Sequence, residues 1–275
     1  LYTDLSAEGT ANCYLIQGAG NYKFKAVMGN TDYAVCNVKK TEVLWETFGT
    51  DVMPNVGDLI EEVGYKNGYV YFSTPEVFGN GNASIAVRNS KDVILWSWHI
   101  WCSEEGWIDH VYANNAGTMM DRNLGATSAT PGEVGAIGLL YQWGRKDPFL
   151  GSSSRFYAAE ALSTIEWPSS VPSGYDTGTI EYAVQHPTTF ISMGSYNQDW
   201  LYTGSSNVDY TRWQSNKTIY DPCPAGYIVS PKDALTGLDL SNVIGTFDKG
   251  YMFPTLGSDL WIPAGGYIIP TGSVR

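Results

Sequence analysis

The sequence has few of the groups on which enzymes and nucleic-acid-binding proteins depend. Only 3 of its 275 residues are histidines, and 16 Lys and Arg stand against 28 Asp and Glu, which gives a formal net charge of −12. A chain of this charge repels nucleic acids and anionic membranes, so neither is an expected partner. No apolar run approaches the length of a membrane span, and the opening LYTDLSAEGT is not typical of a signal peptide.

Motifs that carry common catalytic chemistry are also missing. The sequence contains no GxSxG, HExxH or GxxxxGK pattern and no GxGxxG after a strand. Cys13, Cys36, Cys102 and Cys223 form no CxxC pair and have no zinc-ligand spacing with the histidines. We therefore expect buried thiols or one or two disulfides, and no metal, cofactor or catalytic residue.

Aromatic residues and turn formers are abundant instead. The chain has 19 Tyr and 10 Trp, which suit binding surfaces because each combines a large apolar ring with a polar group. Its 30 Gly and 13 Pro indicate many turns and few long helices.

The first hundred residues alternate with a period of two, which predicts strands. In NYKFKAVM, for example, the apolar residues fall on one face and the lysines on the other. Asn67-Gly68 is a strong hairpin signal, and a second turn is expected at 89–92. About eight short strands predict an antiparallel β-sandwich. VILWSWHIW is apolar on both faces, so we place it centrally, with His99 as a core residue.

After residues 103–106 the composition changes to a loop-rich pattern of Gly, Ser, Asn and Thr. We therefore predict two domains, 1–105 and 106–275. Only two short helices are expected in the second domain. One is AAEALSTI (158–165), and the other begins in SPKDALTGL, where Ser230 can cap and Pro231 can take the first position.

The stretch at 118–151, TMMDRNLGATSATPGEVGAIGLLYQWGRKDPFLG, places charges among glycines and aromatics. These charges could form a ligand or catalytic site, or they could hold the fold together. We favour the structural interpretation, because an Arg with five donors can satisfy several buried carbonyls and a carboxylate at once. Apart from Glu133, the charged residues of this stretch are Asp121, Arg122, Arg145, Lys146 and Asp147.

Several long motifs resemble a known family. ANCYLI, NYKFKAV, EVLWETFGT and ILWSWHIW resemble the strand-rich domain of fimbrillin-family surface proteins of gut anaerobes. NNAGTMMDRNLGA (114–126), GLLYQWGRKDPF (138–149) and YDPCPAGYIVSPKDAL (220–235) resemble the "major paralogous" domain that follows it, which is similar to the C-type-lectin fold.

The resemblance implies a mainly β chain, in which an antiparallel β-sandwich precedes a loop-rich α+β C-type-lectin-like domain. It also implies that five residues of the second domain are structural, namely Asp121, Arg122, Arg145, Asp147 and Cys223. In the family, the segment after a motif like WIPAGGY (261–267) continues into further strands and a late Cys. The resemblance therefore implies that this second domain is incomplete at its C-terminus and that Cys223 lacks its partner.

In function, the resemblance implies an adhesin or pilus-tip protein at the cell surface, in a pilus or associated with the outer membrane. Its partner is expected to be a glycan or protein on host or neighbouring cells. The alternative is a structural pilin or accessory lipoprotein subunit that contacts other subunits and has no ligand of its own. An enzyme is the third interpretation. The lectin-like fold also hosts formylglycine-generating enzymes, but those use paired cysteines, and the second half here has only Cys223.

The segment MGSYNQDWLYTGSSNVDYTRW (193–213) is the best candidate for ligand contact. Aromatic faces can stack on sugar rings, while nearby amides and carboxylates bind hydroxyls. The alternative is a loop whose aromatics pack into the core. The predicted aromatic contacts are Trp200, Tyr202, Tyr210 and Trp213, and the predicted polar contacts are Asn197, Gln198, Asp199 and Asp209.

Overall fold

In the computed structural model of the chain, the described residues are 1–111, 117–154, 159–193, 199–231, 234, 243–246, 249–253, 259–268 and 274. The structure is mainly β, with several separate sheets and little helix. The predicted β-rich fold class is thus confirmed.

The first part of the chain forms two four-stranded sheets. Its strands are β1 (Thr3–Asp4), β2 (Cys13–Ile16), β3 (Asn21–Lys25), β4 (Lys40–Thr47), β5 (Glu62–Lys66), β6 (Tyr69–Ser73), β7 (Gly81–Arg88) and β8 (Ile94–Cys102). The strand orders are β1-β3-β6-β5 and β2-β8-β7-β4, so β8 lies inside its sheet as predicted.

One edge pair in each sheet is parallel, which the sequence did not indicate. These pairs are β1 with β3 and β2 with β8, whereas all other pairs in the two sheets are antiparallel. A parallel pair needs a crossover connection rather than a hairpin. Between the two strands of each parallel pair, the chain contributes at least one strand to the opposite sheet.

Inner faces of the two sheets share one hydrophobic core. Phe24 lies at its centre, with ring centroids 4.7 Å from Tyr14 and 5.1 Å from Trp98. Trp96 belongs to the same cluster, whereas Trp45 is buried outside it, with its ring centroid 5.6 Å from that of Trp167. Full burial of a large apolar side chain stabilises a fold by about 1.5–3 kcal/mol, so this cluster is a major source of stability.

Both predicted turns are present. Asn67 and Gly68 have φ angles of 51° and 79° and join β5 to β6 as a tight hairpin. The β7–β8 turn places Asp92 at a φ of 61°, and the Asn89 side chain accepts hydrogen bonds from two backbone N–H groups within it. Residues that tolerate positive φ therefore fix the register of both hairpins.

The second part of the chain is loop-rich and has only short elements. They are β9 (Asp109–Val111), β10 (Thr118–Met120), a 3₁₀ turn (Val134–Ala136), β11 (Leu140–Tyr141), β12 (Pro148–Phe149), β13 (Val171–Pro172), α1 (Ile180–Gln185), β14 (Ile191–Ser192), β15 (Ile244–Thr246), β16 (Gly250–Phe253) and β17 (Leu260–Pro263).

The helix predicted at 158–165 is wrong. Its described residues, 159–165, contain no helix, and Thr164 N–H donates to the carbonyl of Glu46 in the edge strand β4. Hydrogen bonds to a strand edge satisfy this backbone without a helix. The helix predicted from Ser230 lies largely outside the described residues. The observed helix, α1, was not predicted; Thr179 caps it by accepting from Tyr182 N–H at 3.1 Å.

The second part covers the outer face of the β8 sheet. Asn82 donates to the Gly125 carbonyl at 2.8 Å, and Trp101 donates to the Ala126 carbonyl at 2.9 Å. Asn12, just before β2, donates to the carbonyls of Ile219 and Asp221. This cover explains why β8 is buried on both faces. The boundary between 105 and 106 stays a prediction.

Glu46 provides a stability test for the sandwich. Its carboxylate is 0% exposed and accepts hydrogen bonds from the N–H groups of Gly57, Leu59 and Ile60. In Glu46→Gln, an NH₂ group faces one or more of these donors and the charge-assisted bonds are lost. We expect the free energy of unfolding to fall by about 3 kcal/mol in urea denaturation. The exposed Glu62→Gln serves as the control, and equal stability of both variants would contradict this account.

Candidate functional site

Arg145 ties several loops of the second part together. Its guanidinium is 2% exposed and donates to the side-chain oxygen of Gln142 and to the carbonyls of Thr189, Ala183 and His186 at 2.7–3.1 Å. Four oxygen atoms of the protein itself accept hydrogen bonds from this guanidinium, which fits the predicted structural role.

Lys146 and Asp147 join the second part to β8. Lys146 Nζ donates to the Ser97 carbonyl at 2.9 Å, to Ser97 Oγ at 2.6 Å and to Asp147 Oδ1 at 2.7 Å. Ser97 Oγ in turn donates to Asp147 at 2.6 Å. Burial lowers the pKa of Lys146, and the charge and hydrogen bond of Asp147 oppose that shift. All three groups are buried, so this cluster has no accessible surface for a substrate.

Asp121 and Arg122 form a second buried ion pair. Two guanidinium nitrogens of Arg122 donate to the two carboxylate oxygens of its neighbour Asp121, at 2.8 and 2.9 Å. Glu105 lies 3.7 Å from a third nitrogen. The two-point pair fixes the guanidinium within the loop after β10, and the longer contact with Glu105 reaches the end of the first part, which fits a structural role.

Cys223 also lies within a buried network of hydrogen bonds. Asp221, which is fully buried, accepts from the N–H groups of Cys223 and Val229 and from Lys217 Nζ at 2.8–3.0 Å. Burial raises the pKa of the Cys223 thiol. All four cysteines lie in the described ranges and are free thiols; only Cys36 is exposed.

A Cys–His–Asn arrangement is present that the sequence did not reveal. Cys13 Sγ lies 3.3 Å from His99 Nδ1, and His99 Nε2 lies 2.8 Å from Asn82 Oδ1. Its components are distant in sequence and meet only because β2 and β8 pair in parallel with Cys13 opposite His99. Sequence spacing alone gives no signal for such an arrangement.

Electrostatics of this arrangement do not suit nucleophilic catalysis. Catalysis by cysteine needs a thiolate that a substrate can reach. Burial instead raises the pKa of Cys13 and lowers the pKa of His99 to about 3, so both are neutral at pH 7. Both side chains are buried, together with Asn82. The three residues form a hydrogen-bonded part of the core, with His99 in the core position that we predicted.

Trp200 is not at the surface, which corrects its assignment as a ligand contact. It is 3% exposed and packs near the guanidinium groups of Arg145 and Arg212, whose carbons lie 5.8 and 4.8 Å from its ring. Its indole nitrogen donates to the Trp143 carbonyl. Two buried cations and a carbonyl thus draw this ring inward, and it cannot touch a ligand in this conformation.

The other predicted aromatic contacts reach the surface. Tyr210 is 69% exposed, while Tyr202 and Trp213 are half-buried. Each half-buried ring packs edge-to-face on an exposed one. Trp213 lies 4.9 Å from Trp143, and Tyr202 lies 4.6 Å from Tyr175. We call these five residues the aromatic surface.

Sequence reasoning missed Trp143 and Tyr175, because it considered only the aromatics within 193–213. They are 40% and 80% exposed and come from two other loops. Among the predicted polar contacts, Asp199 is buried in an ion pair with Arg212 at 2.6 Å and is unavailable to a ligand. Asp209 is half-buried, and its carboxylate accepts hydrogen bonds from the N–H and the hydroxyl of Thr211. Asn197 and Gln198 lie outside the described residues.

Comparisons of the chain with known protein families, curated proteins and solved structures find no match. Within the described ranges, no three His, Cys, Asp or Glu side chains are grouped so that they could hold a metal ion. The helices in the same ranges include none that is long and apolar enough to cross a membrane.

The buried His99 predicts a pH dependence of stability. Its pKa is about 3 in the folded protein and near 6.5 in an unfolded chain, so only the unfolded chain takes up this proton as the pH falls below 6.5. Stability is therefore full above pH 6.5 and falls by about 1.4 kcal/mol per pH unit below it. Urea denaturation between pH 7 and 5 measures this slope.

A matched variant isolates the effect. His186 contributes to the same pH dependence, because burial and nearby Arg residues also lower its pKa. We therefore expect His186→Asn to remove that contribution and to retain the slope due to His99. An NMR titration should show no protonation of the His99 ring above pH 5. A His99 ring that titrates near pH 6 would contradict the assignment.

Proposed function

We propose that the protein is a cell-surface adhesin, in a pilus or associated with the outer membrane, that binds a glycan or protein on host or neighbouring cells. The observation that supports this proposal is the aromatic surface. Two edge-to-face pairs and Tyr210 expose aromatic rings on loops, without a catalytic group beside them among the described residues. Loops on a rigid scaffold are where binding residues concentrate.

The base of the aromatic surface is rigid. Trp200 lies beneath it, where its indole donates to the Trp143 carbonyl and its own carbonyl accepts from Ser173. Tyr202 follows two residues later, and its N–H donates to the Gly178 carbonyl at 2.8 Å. Backbone that is fixed in this way loses little conformational entropy on binding, which favours affinity.

The ligand chemistry that fits best is a glycan. The C–H faces of a sugar ring can pack on the exposed rings of Trp143 and Tyr175, while tyrosine hydroxyls bond to the sugar hydroxyls. The net charge of −12 disfavours strongly anionic partners.

A second candidate function is a structural pilin or accessory subunit of a surface complex. Exposed apolar side chains at one end of the sandwich favour it, because the β4–β5 and β6–β7 loops both lie there and both expose them. These side chains are Val52, Met53, Val56 and Val77. A native preparation that retains a stable neighbouring subunit, combined with no adhesion by the isolated chain, would favour this function.

Substitution of the exposed rings tests the adhesin proposal. Trp143→Ala and Tyr175→Ala each remove ring area that a ligand would cover, so we expect each to weaken binding about tenfold on a glycan array and on host-cell surfaces. Melting temperatures establish that the variants fold. Tyr33→Ala serves as the control, because this ring is also exposed but lies in the first part of the chain. If both variants fold and adhere like the parent, the aromatic surface is not the binding site.

A further inference from the structure

A groove of about 490 Å³ lies between the sandwich and the second part of the chain. One wall comes from β4 and the β7–β8 turn, and the other from the end of α1 and the loop that follows it. This volume is typical of a site for a small organic ligand. The groove shares no residue with the aromatic surface.

Polar groups in this groove are available to a ligand. Within the described part of the chain, no hydrogen bond engages the ring nitrogens of His186, the hydroxyl of Thr188, Oε1 of Gln185 or Nη2 of Arg88. The set supplies both donors and acceptors, as sugar hydroxyls require, since each hydroxyl donates one hydrogen bond and accepts others.

Ion pairs line the groove, and Lys40 lies beside its lining residues. Arg88 pairs with Glu42, and Lys40 Nζ lies 2.7 Å from the same carboxylate and 3.5 Å from Asp92. Burial and nearby Arg residues lower the pKa of His186, so its ring is neutral at pH 7. With Lys40 counted beside the lining, two cations balance two carboxylates, which favours a ligand without net charge.

Apolar side chains complete the groove. Val43, Ile94 and Pro187 line it beside the polar groups. A surface that combines apolar walls with free hydrogen-bonding groups and no net charge matches a neutral sugar, which has C–H faces and a rim of hydroxyls.

A second cavity extends the site. It has a volume of about 200 Å³ and is lined by Phe149, Trp167, Phe190 and Glu160. Thr188 lines both cavities, so they adjoin at this residue. Burial raises the pKa of Glu160, so this carboxyl stays protonated over a wider pH range than an exposed one.

We propose that the two cavities form one site that binds a linear neutral oligosaccharide, with successive sugar rings on either side of Thr188. This site is separate from the aromatic surface, and the inference holds whether or not that surface binds a ligand of its own.

Titration with four neutral tetrasaccharides tests the proposal, namely maltotetraose, cellotetraose, mannotetraose and xylotetraose. Isothermal calorimetry should show that at least one binds at a single site, and more tightly than its own monosaccharide because it spans both cavities. Thr188→Trp should abolish this binding by filling the junction. Thr188→Val and Gln185→Ala should each weaken it about fivefold, as expected for the loss of one hydrogen bond.

Controls separate this site from the rest of the surface. Thr130→Val removes an exposed hydroxyl elsewhere on the chain and should bind like the parent. If Thr188→Trp fails to fold, the Val and Ala variants decide the outcome.

The proposal is overturned if no tetrasaccharide binds the parent, or if the folded Thr188 and Gln185 variants bind as it does. Cell adhesion that depends on Trp143 would survive that result, so failure of the groove and failure of the adhesin proposal are distinguishable.

Discussion

Burial of β8 on both faces is the constraint on which the rest of the structure depends. Its inner face packs in the sandwich core, but its outer face carries the polar side chains of Ser97 and His99 inside the protein. Buried polar groups destabilise a fold unless they are hydrogen-bonded. Lys146 and Asp147 satisfy Ser97, and a lysine buried without its carboxylate partner would itself be strongly destabilising. The stability of each part of the chain therefore depends on its contacts with the other.

The same polar network positions the candidate binding surfaces. Arg145, next to Lys146, holds the loops around α1, and the ring of Trp200 lies between Arg145 and Arg212. Trp200 in turn supports Trp143, while the end of α1 forms one wall of the groove. Charged residues in motifs such as GRKDPF thus act by fixing loops, and the surfaces proposed to meet ligands carry aromatic and neutral polar groups.

Local patterns predicted most of the first part of the chain. Period-two alternation located the strands, Asn67-Gly68 located a hairpin, and the doubly apolar β8 was placed centrally. Patterns could not predict the parallel pairing of β2 with β8, because that register depends on contacts far apart in sequence. For the same reason the helix predicted at 158–165 was wrong, since an edge strand supplied its hydrogen bonds. Trp200 was placed at the surface although Arg145, far away in sequence, and Arg212 pack against its ring.

Native-state hydrogen exchange tests most directly whether the two parts form one cooperative structure. Amides of β8 and of the β11–β12 pair lie on opposite sides of the Ser97 cluster. If buried polar contacts make the two parts interdependent, the amides of β8 and of the β11–β12 pair should exchange only through global unfolding. Their exchange should then show the free energy and the urea dependence of that unfolding. Exchange of the β11–β12 amides through an opening of much lower free energy, with β8 still protected, would contradict the account.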